Sequence, residues 1–164
     1  MSALADTARD RPGLAILAPP VLALGAALVA QYVFGLAPCE LCIWQRWPYV
    51  AAIAIGLLAL VFPRFATPLL VLAALAFATT AGIGVFHAGV EEGLWKGLES
   101  CSDAGTPDSL EALKAQIMGA QPARCDQVAF WFLGLSMAGW NVVFGGLATL
   151  AMLALAVARP RGRA

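Results

Sequence analysis

The sequence predicts an all-α integral membrane protein: an antiparallel four-transmembrane-helix bundle with a long outer loop carrying a short amphipathic surface helix. Three observations predict it. Hydrophobic residues fill 61% of the 164 positions and charged residues only 12%, against about 25% charged in ordinary soluble domains. The charges lie in short stretches between apolar runs, and those runs reach the roughly 20 residues that a spanning helix needs. Basic residues also concentrate on alternate connections, as they do when a chain crosses a membrane repeatedly. The length is that of one domain, so residues 1–164 are expected to form a single membrane unit.

The first span is expected at about 14–36, where no charged residue interrupts the run between Arg11 and Glu40. Pro19 and Pro20 fall near its start, which is tolerable where neighbouring groups re-satisfy the freed carbonyls. A cleaved signal peptide fits poorly, because its apolar region covers only about 7–15 residues. A lipoprotein site at Cys39 fits poorly too, because Pro38 precedes the cysteine. A retained helix is expected.

A second span is expected at about 46–63 and a third at about 65–87, joined by a turn at Pro63-Arg64. From about 88 to 130 the character changes. Glu91, Glu92, Lys96, Glu99, Asp103, Asp108, Glu111, Lys114, Arg124 and Asp126 mark a water-exposed loop, and loops of this length are usually functional. Within it Leu110, Leu113 and Ile117 recur at helical spacing, after a Pro107-Asp108 start and before a Gly119 stop. That pattern suits a short helix lying on the membrane surface. The aromatic stretch 130–141 suits the headgroup level, leaving the fourth span at about 140–158.

Arg9, Arg11, Arg64, Arg159, Arg161 and Arg163 fall on one side of such a bundle, with only Asp6 and Asp10. The other side carries Arg46, Lys96, Lys114 and Arg124 among a larger number of acidic residues. The positive-inside rule then puts both termini and the Arg64 turn in the cytoplasm. All four cysteines face the outer compartment, a distribution that suits oxidising conditions. The net charge of zero gives no electrostatic reason to expect nucleic acid as a partner. A single histidine excludes a multi-histidine metal centre.

The chemistry centres on Cys39 and Cys42. A Cys-x-x-Cys pair forms a disulfide that opens and closes readily, and in an oxidising compartment it is redox-active or metal-binding more often than structural. Residue 43 is Ile, so the c-type haem pattern is absent. Cys39, Cys42, Cys101 and Cys125 could in principle supply the four thiolates of a metal site. Cys101 and Cys125 bracket the surface helix. As a plain staple they would contribute roughly 3 kcal/mol; beside a labile pair they could instead exchange with it by thiolate attack.

Arg46 follows Cys42 near the start of the second helix. A fixed positive charge and a helix N-terminus both favour a thiolate at Cys42, although an interfacial Arg can equally snorkel to lipid phosphate. Pro48 suits a first helical turn and not an interior, so the sequence leaves open whether Cys42 and Arg46 share a helical face. His87 closes the third span on the same side and can titrate near neutral pH. A lone His there is also common as a satisfied interfacial side chain. Met137, with Trp131, Phe132 and Trp140, reads as interfacial packing, and Glu40 as solvated.

Pro38-Cys39-Glu40-Leu41-Cys42, running on to Gln45-Arg46-Trp47-Pro48-Tyr49, resembles the first outer loop of the disulfide bond formation protein B (DsbB) family. Phe86-His87-Ala88-Gly89-Val90-Glu91 resembles its third-helix end. Phe132-Leu133-Gly134-Leu135-Ser136-Met137-Ala138-Gly139-Trp140-Asn141 resembles its approach to the fourth span. Two departures stand out: Glu40 replaces an apolar residue and Gln45 an acidic one. The resemblance implies a multi-pass enzyme of the bacterial inner membrane. Such an enzyme reoxidises a periplasmic DsbA-like thioredoxin-fold dithiol oxidase and passes two electrons to a quinone, ubiquinone or menaquinone. It also implies disulfides Cys39–Cys42 and Cys101–Cys125, with Cys101 capturing the partner, Cys125 exchanging with Cys39, and Cys42 facing the quinone beside Arg46, His87 and Met137. The alternative from another class is a membrane scaffold or metal-binding protein with structural cysteines.

Overall fold

A computed structural model describes residues 11–98, 109, 110, 114 and 123–159. Four of its helices are long and apolar enough to cross a membrane: α1 (Pro12–Tyr32), α2 (Glu40–Val61), α3 (Ala66–Glu91) and α4 (Met137–Ala158). The protein is thus a multi-pass helical membrane protein. A 3-10 turn, Pro63–Phe65, links α2 to α3. Each helix packs chiefly on its chain neighbour, α1 on α2, α2 on α3 and α3 on α4, whereas α1 and α4 scarcely touch. That leaves an open side.

The helix limits differ from the sequence expectation where capping decides them. α2 begins at Glu40 rather than near residue 46, because Cys39 is its N-cap and its Sγ accepts the Cys42 N–H at 3.3 Å. A side chain that satisfies an orphan N–H is what starts a helix, although cysteine is not among the usual residues. Pro48 lies inside α2 without ending it. Pro48 removes the donor for the Trp44 carbonyl four residues back, and the Thr80 hydroxyl donates to the adjacent Gln45 carbonyl at 2.9 Å. Hydroxyls of neighbouring helices bonding the backbone in this way are how spanning helices tolerate proline. Cys42 and Arg46 are therefore one turn apart on a continuous helix. α3 runs on past His87 to Glu91.

The core is built from small residues against a few large ones. Ile16, Tyr49, Ala52, Ala59, Leu70, Ala73, Ala74 and Phe77 are buried together. A Cβ on Gly56 would stand 2.7 Å from the Leu17 side chain, so α1 and α2 approach more closely than any other residue allows. Lipid supplies no hydrophobic drive between helices, and close backbone approach is what replaces it. Leu57, Leu75, Leu147 and Leu150 point outward and are exposed, as a lipid-facing surface requires.

The aromatic stretch ahead of α4 folds as a small hairpin, β1 (Trp131–Phe132) against β2 (Leu135–Ser136), with Trp131 opposite Ser136. Its turn has positive φ at Leu133 and Gly134, the pattern of a type I′ hairpin. Ser136 then caps α4 by accepting the Gly139 N–H at 3.1 Å. Of the expected surface helix, Leu110 and Lys114 are helical, while Leu113 and Ile117 lie outside the described residues, as does Cys101.

Candidate functional site

The cap of α2, the last turns of α3 and the first turn of α4 meet at one end of the bundle. Cys39 and Cys42 are free thiols with their Sγ atoms 3.0 Å apart, Cys39 donating to Cys42. That hydrogen bond, together with burial, holds the Cys39 thiol well above its ordinary pKa. His87 Nε2 lies 3.5 Å from Cys39 Sγ and 3.8 Å from Glu91 Oε1, one helical turn on. Cys125 is disulfide-bonded and fully buried, and it packs in one apolar cluster with Cys39, Leu41 and Val90. Its backbone also meets the His87 ring. Three of the four cysteines and the single histidine are thereby brought together. With Cys125 in a disulfide, four free thiolates are not on offer in this state.

A polar network runs inward from His87. Gln45 Nε2 sits 2.8 Å from His87 Nδ1, and Gln45 Oε1 accepts from Asn141 Nδ2 at 2.6 Å. Asn141 Nδ2 also donates to the Thr80 carbonyl at 3.1 Å, and Asn141 Oδ1 accepts from the Tyr49 hydroxyl at 2.5 Å. Each helix end of this network is tied to another, so α2, α3 and α4 are locked in register around the histidine. Among the described residues no buried side-chain nitrogen or oxygen lacks a partner, as polar groups inside a bilayer require.

Arg46 donates to Gln31 of α1 at 2.6 Å and lines, with Cys39, Cys42, His87 and Met137, a cavity of about 830 Å³. Leu22, Ala26, Val29 and Ala30 of α1 form one wall and Ala138, Asn141 and Phe144 of α4 the other. The cavity is thus apolar along most of its length and polar at the cysteine end, and the gap between α1 and α4 leaves it open to the side. Of the described residues named from the sequence, Cys39, Cys42, Arg46, His87 and Met137 line the cavity, and Cys125 packs against Cys39.

Several contributors were missed. Glu91 reads in sequence as the first charge of a loop, yet it ends α3 with its Oε2 accepting from Ser136 at 2.5 Å. Gln31, Tyr49, Thr80 and Asn141 read as isolated polar residues in apolar runs, and polar residues inside a span are the signal that could have found them. Trp95 folds back over α3, donating to the Phe86 carbonyl at 2.8 Å. Gly89 leaves room for it, since a Cβ there would stand 2.0 Å from the indole.

The chain matches the family model described as disulfide bond formation protein DsbB over residues 9–157. It is 34% identical over 141 residues to disulfide bond formation protein B of Xanthomonas oryzae pv. oryzae, covering 80% of this chain and 81% of that one. It is 29% identical over 156 residues to disulfide bond formation protein B of Shewanella sp. strain MR-4, covering 87% and 85%. An uncharacterised protein of Rickettsia prowazekii is 28% identical over 133 residues, covering 79% and 77%. No solved structure matches the chain. A Cys-x-x-Cys pair at the end of an apolar helical bundle, matched along nearly its whole length by this family model, means that the chain belongs to the DsbB family of disulfide bond formation proteins.

Proposed function

We propose that the protein is a quinone-dependent thiol oxidase that reoxidises a DsbA-like thioredoxin-fold partner. The partner's dithiol gives up two electrons and two protons and becomes a disulfide, and a membrane quinone, ubiquinone or menaquinone, becomes the hydroquinone. One observation carries this reading. The Cys39–Cys42 pair stands at the polar end of a cavity of about 830 Å³ that is otherwise apolar and open between two helices.

The donor set fits a quinone. Arg46 offers N–H groups at the end where a ring oxygen would gain charge, His87 and Met137 line that end beside it, and the α1 and α4 walls suit an isoprenoid chain. A bound quinone would supply the two-electron acceptor. The protein's own steps are thiol exchanges. A partner thiolate attacks Cys101, breaking its bond to Cys125 and leaving the electron pair on Cys125. Cys125 then attacks Cys39 of an oxidised Cys39–Cys42 pair, and the electron pair moves to Cys42 Sγ. Arg46, one turn away, stabilises that anion. Sidedness belongs to the same proposal: both termini in the cytoplasm of a bacterium, the four cysteines on the periplasmic side of its inner membrane.

The test is quinone-dependent oxidation of a reduced thioredoxin-like protein, followed by the ultraviolet absorbance of the quinone. No change in that absorbance, with active partner present, overturns the reading. A second reading is favoured by one observation: Cys39, Cys42 and His87 offer ligand atoms within 4.8 Å of one another, a donor set suited to a thiophilic divalent cation. Metal content of the purified protein, with thiol counting before and after quinone addition, separates the two.

A further inference from the structure

We propose that Asn141 and Gln45 are positioning residues that hold His87 as its Nε2–H tautomer, with that N–H aimed at Cys39 Sγ. Only the consequence for thiol exchange rests on the oxidase reading; the tautomer itself does not.

The assignment follows from a chain of groups anchored at one atom whose role is not in question. A backbone carbonyl only accepts, so the side-chain atom of Asn141 that lies 3.1 Å from the Thr80 carbonyl oxygen must be its NH2. The Thr80 hydroxyl agrees. It spends its proton on the Gln45 carbonyl and can only accept from the same Asn141 nitrogen, also 3.1 Å away. Asn141 Oδ1 is left to accept from Tyr49. The Asn141 NH2 also reaches Gln45 at 2.6 Å, so the Gln45 atom it meets is the oxygen. The Gln45 NH2 then faces His87 Nδ1 at 2.8 Å. An NH2 group cannot accept, so Nδ1 must carry its lone pair there. A neutral imidazole with an acceptor at Nδ1 has its proton on Nε2.

That proton faces Cys39 Sγ at 3.5 Å and Glu91 Oε1 at 3.8 Å, and the Cys125 backbone hydrogen-bonds the same ring as an acceptor, which only its protonated nitrogen can serve. His87 is thereby a donor toward Cys39 and not a base. When a disulfide made by Cys39 opens with the electron pair left on Cys39, the N–H hydrogen-bonds the new anion. The proton stays on nitrogen, and no atom is transferred. Setting one imidazole nitrogen by the hydrogen bond at the other is a general device. Here it is delivered across three helices, from the α3 backbone through Asn141 of α4 and Gln45 of α2.

The single histidine makes the test direct. Full-length protein labelled with ¹⁵N-histidine, reduced and in lipid nanodiscs at neutral pH, is expected to show one neutral imidazole. Nε2 should be protonated, and Nδ1 should be bare and shifted upfield as a hydrogen-bond acceptor. A proton on Nδ1, or a mixture of tautomers, overturns the proposal. Gln45→Met keeps the length of the side chain but removes the donor, and Nδ1 is expected to move downfield to the value of an unbonded lone pair. Asn141→Leu frees the Gln45 amide to turn, and both tautomers are expected to appear. Wild-type shifts at both nitrogens in either folded variant would remove that residue from the assignment and defeat it. Wild-type protein with the Nε2–H tautomer but without quinone-dependent oxidation would instead defeat the oxidase reading and leave the assignment standing.

Discussion

The two ends of the bundle are held by different forces. Around Ile16, Ala52, Ala59, Leu70, Ala73 and Phe77 the contacts are mostly apolar, made by small residues that let helix backbones come close, with one weak hydrogen bond from the Thr149 hydroxyl to the Ala74 carbonyl at 3.5 Å. Around Gln45, Thr80, His87 and Asn141 the same helices are joined by hydrogen bonds. In lipid the first kind of contact depends on shape alone, since tails and side chains are equally apolar. The second depends on every group being paired, since an unpaired one costs several kcal/mol. The packed end can therefore be indifferent to chemistry, while the bonded end fixes where a reactive sulfur sits. Tyr49 belongs to both: its ring meets Phe77 with centroids 6.1 Å apart, and its hydroxyl bonds Asn141.

This contrast can be broken from either end. Cys42→Ser should reduce quinone-dependent oxidation of a thiol partner to background, with the unfolding midpoint unchanged. A residual catalytic rate would show that Cys42 is dispensable. Phe77→Ala should do the reverse, costing about 3–5 kcal/mol in stability while the folded fraction keeps its activity; reversible unfolding in mixed micelles measures it. Tyr49→Phe keeps the ring and strands Asn141 Oδ1, so a loss of about 1 kcal/mol is expected, between the two behaviours. The smallest effect lies outside both ends. Arg124 hydrogen-bonds Asp126 and holds its carboxyl below the usual range. A depressed folded value contributes stability above the unfolded pKa and loses it as pH falls through the folded one. The pair is exposed and screened, so Arg124→Ala should raise the Asp126 midpoint in an NMR titration without a resolvable change in unfolding.

Much of the packed end was legible in the sequence, because uncharged runs of spanning length have few other interpretations. The cysteine pair, Arg46 and His87 were legible as residue types. What joined them was not. The start of α2 depends on a cysteine acting as a cap, and no capping residue of the usual kind precedes Glu40. Pro48 leaves the continuity of the helix open in the sequence, and the Thr80 hydroxyl that bonds the backbone just before it belongs to another helix. The Gln45–Asn141 bond links residues 96 apart in the chain, and although each is a polar residue beside apolar ones, nothing local says that the two meet. Glu91 reads as solvent-facing because charge usually goes there, whereas the Ser136 hydroxyl at the α4 cap donates to its carboxylate.

The gap between α1 and α4 has a kinetic consequence. A cavity open to the side is reached by molecules moving within the membrane plane, so the concentration that governs its filling is two-dimensional. For any apolar substrate admitted there, the apparent Michaelis constant would be a mole fraction in the surrounding amphiphile. Diluting the protein with more detergent at fixed total substrate would then slow it, although nothing in the aqueous phase had changed.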